Sequence, residues 1–232
     1  MYIYGKNVAQ EALSEPSKIR RIFLDQKFND NDLLKKIKNS NVKFEFVNKK
    51  MLDQKVNGLH QGIILEINDY KYADLNDILV KENPLIVILD HLEDPHNFGA
   101  IIRTCEAAGV DGIIIPNDRS VVVNGTVVKT SVGTTENMKI VKVANLVNTI
   151  KELKKLGFWI FGTDMNGSDY DTLNYKGKTA IVIGNEGSGM SRLVSENCDF
   201  IATIPMEGTV NSLNASVACS IVLFEAVKNR RG

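Results

Sequence analysis

Leu85-Ile-Val-Ile-Leu-Asp-His-Leu-Glu-Asp-Pro-His-Asn-Phe-Gly-Ala-Ile-Ile-Arg103 is the stretch on which the fold turns. Its first five residues are apolar without alternation, the pattern of a strand whose two faces are both covered by helices. A polar segment through Pro95 follows, and apolar residues then return at helical spacing from about Asn97. Similar runs recur at Gly112–Ile115, Lys139–Val143, Phe158–Gly162, Ala180–Ile183 and Phe200–Ile204, with helical stretches between most of them. Strands separated by helices predict an α/β domain with a mainly parallel sheet. A last helix is expected from near Ser212 to about Lys228, carrying Leu213, Val217, Ile221, Val222, Phe224 and Ala226.

Upstream the elements are shorter. A helix after Gly5, strands at Arg21–Leu24, Val42–Phe46 and Gly62–Ile67, and a helix at Asp32–Ile37 predict a small α/β module. From Asn68 to Asn83 apolar density falls and Asp, Asn, Lys and Tyr accumulate. The expected organisation is therefore a first domain over 1–70, a linker over 71–83 and a second domain over 84–232.

The chain has 232 residues, 44% hydrophobic and 24% charged, which excludes a disordered or collagen-like protein. No apolar stretch approaches the roughly 18 residues that span a bilayer, and MYIYGKNVAQ has no signal-peptide pattern, so a cytoplasmic protein is expected. The 28 basic and 28 acidic residues cancel, which excludes a globally basic nucleic-acid binder. Between Lys18 and Lys55, however, eleven Lys and Arg face five acids. This excess reads equally as a solvated face or as a surface that attracts a phosphate backbone. Cys105, Cys198 and Cys219 are odd in number and far apart, and suggest buried thiols rather than disulfides or a metal site.

Neither the Walker pattern nor the dinucleotide fingerprint is present. Three other segments each follow a buried strand. In the first, Asn97 is placed to cap the coming helix, and Arg103, about two turns on, is either a surface residue or a fork for a phosphate. The second, Gly184-Asn-Glu-Gly-Ser-Gly189, reads as a tight connection or a ligand-binding turn. The third is Ile204-Pro-Met-Glu-Gly-Thr-Val-Asn-Ser-Leu-Asn-Ala-Ser216, with Ser212 as its expected cap. Open α/β sheets bind ligands at such strand ends.

Together the three segments resemble the motifs of the SpoU (TrmH-like) group of SPOUT RNA ribose methyltransferases. Asn97, Gly99 and Arg103 match the first, Gly184–Gly189 the second, and Ile204-Pro-Met with Ser212-Leu-Asn214 and Ser216 the third, Ala215 standing where Val is common. Tyr4-Gly-Lys-Asn-Val8, Glu11-Ala-Leu13 and His60-Gln-Gly62 resemble the ribosomal-protein-like RNA-binding domain of the subgroup that methylates a guanosine of 23S rRNA.

The resemblance implies S-adenosylmethionine as cofactor and no metal, held in a carboxyl-terminal trefoil knot by backbone groups at Gly184, Ile204 and Leu213. It implies Asn97, Arg103, Glu186, Ser212 and Asn214 as catalytic residues, a homodimer, and ribosomal RNA rather than DNA or a membrane as partner. A tRNA ribose methyltransferase and a non-catalytic ribosome-assembly module are the alternatives.

Methyl transfer to a ribose hydroxyl needs alignment and proton removal, and alignment alone supplies roughly 7–11 kcal/mol in the best intramolecular models. In the family an arginine at the position of Arg103 has been proposed as the base, but a guanidinium stays protonated at neutral pH and has almost no neutral form. A phosphate grip by Arg103 is therefore expected, with the proton leaving through water or a polar neighbour. His91 and His96 are expected to be solvent-facing or capping. Tyr2, Tyr4, Phe23 and Phe28 are core residues or base-stacking platforms.

Overall fold

A computed structural model describes residues 1–231, which form two compact units: residues 1–71 with 123–133, and the remaining described residues. In the first unit β1 (Tyr2–Tyr4), β2 (Ile19–Asp25), β3 (Phe44–Val47) and β4 (Ile63–Ile67) form a sheet in the order β1-β4-β2-β3. β2 and β3 run parallel and the other pairs antiparallel. Helices α1 (Lys6–Ala12), α2 (Asn31–Asn39) and α3 (Lys49–Lys55) connect them, and the Asp30 and Asn48 side chains cap α2 and α3 by accepting from the Leu33 and Met51 amides.

Phe23, Val47, Leu52 and Ile64 pack together on one face of this sheet, so Phe23 belongs to the core and not to a base-stacking surface. Tyr2 meets it edge to face, and the Lys55 ammonium lies over both rings. Residues 123–133 return to this unit through α5 (Gly125–Thr130), where Gly125 lies so close to the Tyr2 carbonyl that a Cβ would collide with it.

In the second unit six parallel strands run in the order β10-β8-β9-β5-β6-β7: β5 (Leu85–Leu89), β6 (Gly112–Pro116), β7 (Ile140–Val143), β8 (Trp159–Asp169), β9 (Thr179–Ile183) and β10 (Phe200–Thr203). Every residue of β5, β6 and β9 is buried, as unbroken apolar runs require. The helices are α4 (Pro95–Ala108), α6 (Leu146–Lys155), α7 (Arg192–Ser195) and α8 (Ala215–Arg231). The stretch expected as a linker contains a short 3-10 turn, Leu75–Ile78, whose Ile78 packs with Ile86, Ile114 and Val141 in the core of this unit. No helix among the described residues is long and apolar enough to cross a membrane.

Two helix starts differ from the sequence reading. Asp94, not Asn97, caps α4 by accepting from the His96 amide, and Pro95 occupies the first turn, where its missing N–H costs nothing. Helix α8 starts at Ala215 rather than near Ser212. Asn214 is its cap: its Oδ1 accepts from the Ser216 amide, and its carbonyl accepts from the Ala218 amide. In both places an asparagine or serine that merely suited a cap has other surroundings.

Candidate active site

The loops after β5, β9 and β10 leave the same end of a parallel sheet. Beside them lies a cavity of about 780 Å³, lined by the whole Gly184–Gly189 loop, by Ile204, Pro205 and Met206, by Ser212 and Leu213, and by Thr163, Asp164 and Met165 of β8. Gly184, Ile204 and Leu213, the expected cofactor contacts, thus share one cavity with Glu186 and Ser212. The β8 residues carried no signal in the sequence, because the strand was expected to end at Gly162.

The loop is folded on itself. Asn185 and Gly189 exchange both backbone hydrogen bonds, and Asn185 Oδ1 accepts from the Gly187 and Ser188 amides at 2.9 and 3.2 Å. Gly184 sits so close to the Gly189–Met190 backbone that a Cβ there has no room. This is the position at which the motif requires glycine for packing rather than for an unusual backbone angle.

Asn97 ties the three loops together. It is buried in the first turn of α4; its Nδ2 donates to Glu186 Oε1 at 3.0 Å, and its Oδ1 accepts from Asn214 Nδ2 at 2.8 Å. Asn214 Oδ1 in turn accepts from the Ser216 hydroxyl at 2.6 Å. Residues about ninety and one hundred and twenty positions apart are therefore joined by direct hydrogen bonds. Asp94 adds a longer contact, its amide donating to the same Glu186 oxygen at 3.4 Å.

Arg103 stands apart from this chain of bonds. It is exposed, and among the described residues nothing pairs with its guanidinium. Ser212 is also exposed, at the cavity wall.

A second set of bonds was not visible in the sequence. Asp90, at the end of β5, is 1% exposed; its Oδ2 accepts from the Ser191 amide at 2.6 Å, and its Oδ1 lies 2.6 Å from His91 Nδ1. His91 has a left-handed backbone, φ +58°, and its carbonyl accepts from Asn185 Nδ2 at 2.8 Å. His91 is thus not a solvent histidine: it and Asp90 pin both ends of the Gly184–Ser191 connection. The available signal was an acidic residue ending an otherwise apolar strand, which needs a partner when buried.

In the first unit, His60-Gln-Gly62 is a turn stitched from within. His60 is buried, with Nε2 2.9 Å from Asp53 Oδ1 and Nδ1 accepting from the Gly62 amide, while Gln61 Oε1 accepts from the Lys6 amide. Cys105 and Cys219 are fully buried. Burial, then the neighbouring Cys219, pushes the Cys105 thiol well up, and burial pushes the Cys198 thiol up to about 12. Among the described residues no group of three or more His, Cys, Asp or Glu is arranged to hold a metal ion.

Comparison with known proteins gives two family matches: residues 84–224 match the SpoU rRNA Methylase family, and residues 2–73 match RNA 2'-O ribose methyltransferase substrate binding. A TrmH family tRNA/rRNA methyltransferase of Staphylococcus aureus (strain COL) is 44% identical over 98% of this chain and 96% of its own. An AdoMet-bound rRNA methyltransferase from Sinorhizobium meliloti superposes with a TM-score of 0.75 at 28% identity, over 98% of this chain and 86% of its own. A TrmH/SpoU tRNA modifying enzyme of A. aeolicus superposes with a TM-score of 0.59 at 33% identity, over 67% of this chain and 80% of its own.

Proposed function

The chain belongs to the SpoU rRNA methylase family, as an RNA methyltransferase that uses S-adenosylmethionine, and from that premise we propose that it methylates the 2′-hydroxyl of a ribose, at a guanosine of 23S rRNA. The observation that carries the reading is the bonded line Glu186–Asn97–Asn214 beside the cavity, with Arg103, unpaired among the described residues, on the same helix as Asn97. Ribosomal RNA is favoured over tRNA because the rRNA methyltransferase matches both units of this chain, whereas the tRNA enzyme matches only two thirds of it. The match over residues 2–73 favours the ribose oxygen as acceptor.

The cavity fits the cofactor in size and in chemistry. A volume of about 780 Å³ lies within the 300–1,000 Å³ usual for ligand pockets. Apolar walls from Ile183, Ile204, Val210 and Leu213 suit an adenine ring, and the Asp164 and Glu186 carboxylates suit a cationic molecule. Bound there, S-adenosylmethionine supplies a methyl group already activated for displacement.

The protein's own residues do the rest. Gly184, Ile204 and Leu213 offer backbone groups along the cavity, and Ser212 offers a hydroxyl at its wall. Asn97 fixes Glu186 and Asn214, so that neither side chain reorganises when RNA arrives. Arg103 has no acceptor among the described residues and grips the phosphate beside the target ribose. The deep trefoil knot and the homodimer accompany this reading. Val217 and Phe224, seven residues apart on one face of α8, stay about half exposed, as a helix face does that a second copy covers.

The test is to incubate the protein with labelled cofactor and total RNA from cells lacking it, and to map ribose methylation. Label in 23S rRNA at a guanosine is expected; label confined to tRNA overturns the choice of substrate. Arg103→Lys and Arg103→Ala separate grip from base. Lys is expected to retain part of both RNA affinity and single-turnover rate, and a Lys variant with full affinity and no turnover at any pH overturns the grip.

A further inference from the structure

We propose that Arg119 is a second phosphate-binding residue for the RNA backbone, at the rim of the same reaction centre; the assignment rests on the RNA methyltransferase reading above. Among the described residues, five other than glycine have a left-handed backbone: Asn41, Gln61, His91, Arg119 and Val132. Asparagine adopts that conformation readily. Gln61 and His91 have side chains engaged inside the chain, with the Lys6 amide and with Asp90. Arg119, at φ +49°, is exposed, and among the described residues no acceptor meets its guanidinium. A long cationic side chain is thus kept where glycine or asparagine would cost less, without a structural task. Strain held at such a position points to use by a ligand.

Its place gives the ligand. Arg119 lies in the loop after β6, the neighbour of β5 in the sheet, so this loop leaves the same sheet end as the three motif loops. It is tied to the first of them: the Val121 amide donates to the Leu92 carbonyl at 2.7 Å and the Ser120 hydroxyl donates to it at 3.3 Å. Leu92 lies between His91, which holds the cofactor loop, and Asp94, which caps the helix bearing Asn97 and Arg103. The chain has seven arginines. Arg20, Arg21, Arg192 and Arg230 are bonded to neighbours in the chain, and Arg231 closes the terminal helix. Among the described residues, Arg103 and Arg119 are the two arginines with open forks that stand on a loop or helix leaving this sheet end. A planar fork of donors matches a phosphodiester, and two of them set the direction as well as the position of a backbone.

The backbone angle supplies the decisive variant. Arg119→Gly removes the fork and relieves the left-handed strain, so the protein should melt no lower than wild type and bind S-adenosylmethionine with wild-type affinity. Against the RNA that the wild type methylates, its affinity should fall about 5- to 20-fold near 0.1 M salt, and the slope of log affinity against log salt should flatten by about one. Most of the loss should appear in KM for RNA rather than in kcat. Arg119→Lys should keep the salt slope and lose part of the affinity. Unchanged RNA affinity and slope in Arg119→Gly overturn the proposal, as does loss of cofactor binding or a lowered melting temperature, which would make the residue structural. A wild type that methylates no RNA overturns both this inference and the reading beneath it, whereas a methylating wild type beside an indifferent Arg119→Gly overturns this one alone.

Discussion

Asn97→Asp tests the link that joins the motifs. The substitution keeps the size of the side chain and replaces the Nδ2 that donates to Glu186 Oε1 at 3.0 Å with an oxygen, so two carboxylates face each other. The lost charge-assisted hydrogen bond is worth about 1.5–3 kcal/mol. Two charges about 4 Å apart repel by roughly 4 kcal/mol at an effective dielectric constant of 20, and the exposure of Glu186 reduces that to about 1–2 kcal/mol. At pH 8 the variant should therefore lose about 3–4 kcal/mol. The pH dependence has a definite sign. The carboxyl created beside Glu186 titrates above its unfolded value of about 3.9, and in its protonated form it donates to Glu186 as the amide did. A raised folded pKa places the stability below the unfolded value and removes it as pH rises through the folded one. The penalty should thus be smaller at pH 5 than at pH 8. Trp159 is the single tryptophan and lies in β8, so urea unfolding followed by its fluorescence reports on the second unit alone. In the double variant Asn97→Asp with Glu186→Gln, the new amide can donate to the new carboxylate, and about 1 kcal/mol or more should return. A penalty within about 0.5 kcal/mol at both pH values, the scatter of an ordinary surface change, together with no recovery from Glu186→Gln, would refute the joined site.

Gly184→Ala should weaken S-adenosylmethionine binding at least tenfold by calorimetry, because its Cβ would displace the Gly189–Met190 backbone; Gly187→Ala, with only Asn185 Oδ1 at 3.6 Å, should lose less. The raised thiols of Cys105 and Cys198 and the full burial of Cys219 predict no rapidly reacting cysteine at pH 8 in the native protein and three in urea, read with a chromogenic disulfide; one fast native thiol would contradict the packing. Arg230→Met should lower the stability of the second unit by about 2 kcal/mol in the Trp159 assay, since its guanidinium donates to the carbonyls of Asn83, Tyr175 and Gly177 and nothing replaces it.

Strands β5, β6 and β9 were legible because burial on both faces leaves a run that no surface strand can carry. β1 was not, since three residues, Tyr-Ile-Tyr, are too few to establish a period. The outer part of β8 was hidden for a different reason. Its residues after Thr163 are exposed and, Met165 and Gly167 apart, polar, and its pairing with β10 jumps from Gly162 to Ser168, so neither composition nor register announces a strand there. The return of residues 123–133 to the first unit depends on the absence of a Cβ at Gly125, a contact that no local pattern encodes. At the site, the residue types were legible only through resemblance. Asn97 and Asn214 each satisfy the rules for a helix cap, and Asn214 does serve as one, but the bond between them spans 117 positions.

That bond also explains why the residue at 97 must be asparagine. On one side it faces a carboxylate, which can only accept, and on the other it faces the Asn214 amide, which donates. An ionised aspartate only accepts and so cannot satisfy both at once, serine is too short to span both partners, and glutamine is one methylene too long for a buried place in the first turn of α4. Six residues further along, an α-helix has risen about 9 Å and turned to a face roughly 120° away. A side chain at 103 is therefore carried out of the bonded line by the same helix that holds 97 within it, and its exposure without a partner follows from the spacing. The interval between the two residues of the first motif thus assigns one to the loop that shapes the cavity and the other to whatever arrives from solvent. For a methyltransferase that must align a small donor with a large acceptor, those are the two tasks a single rigid helix has to couple.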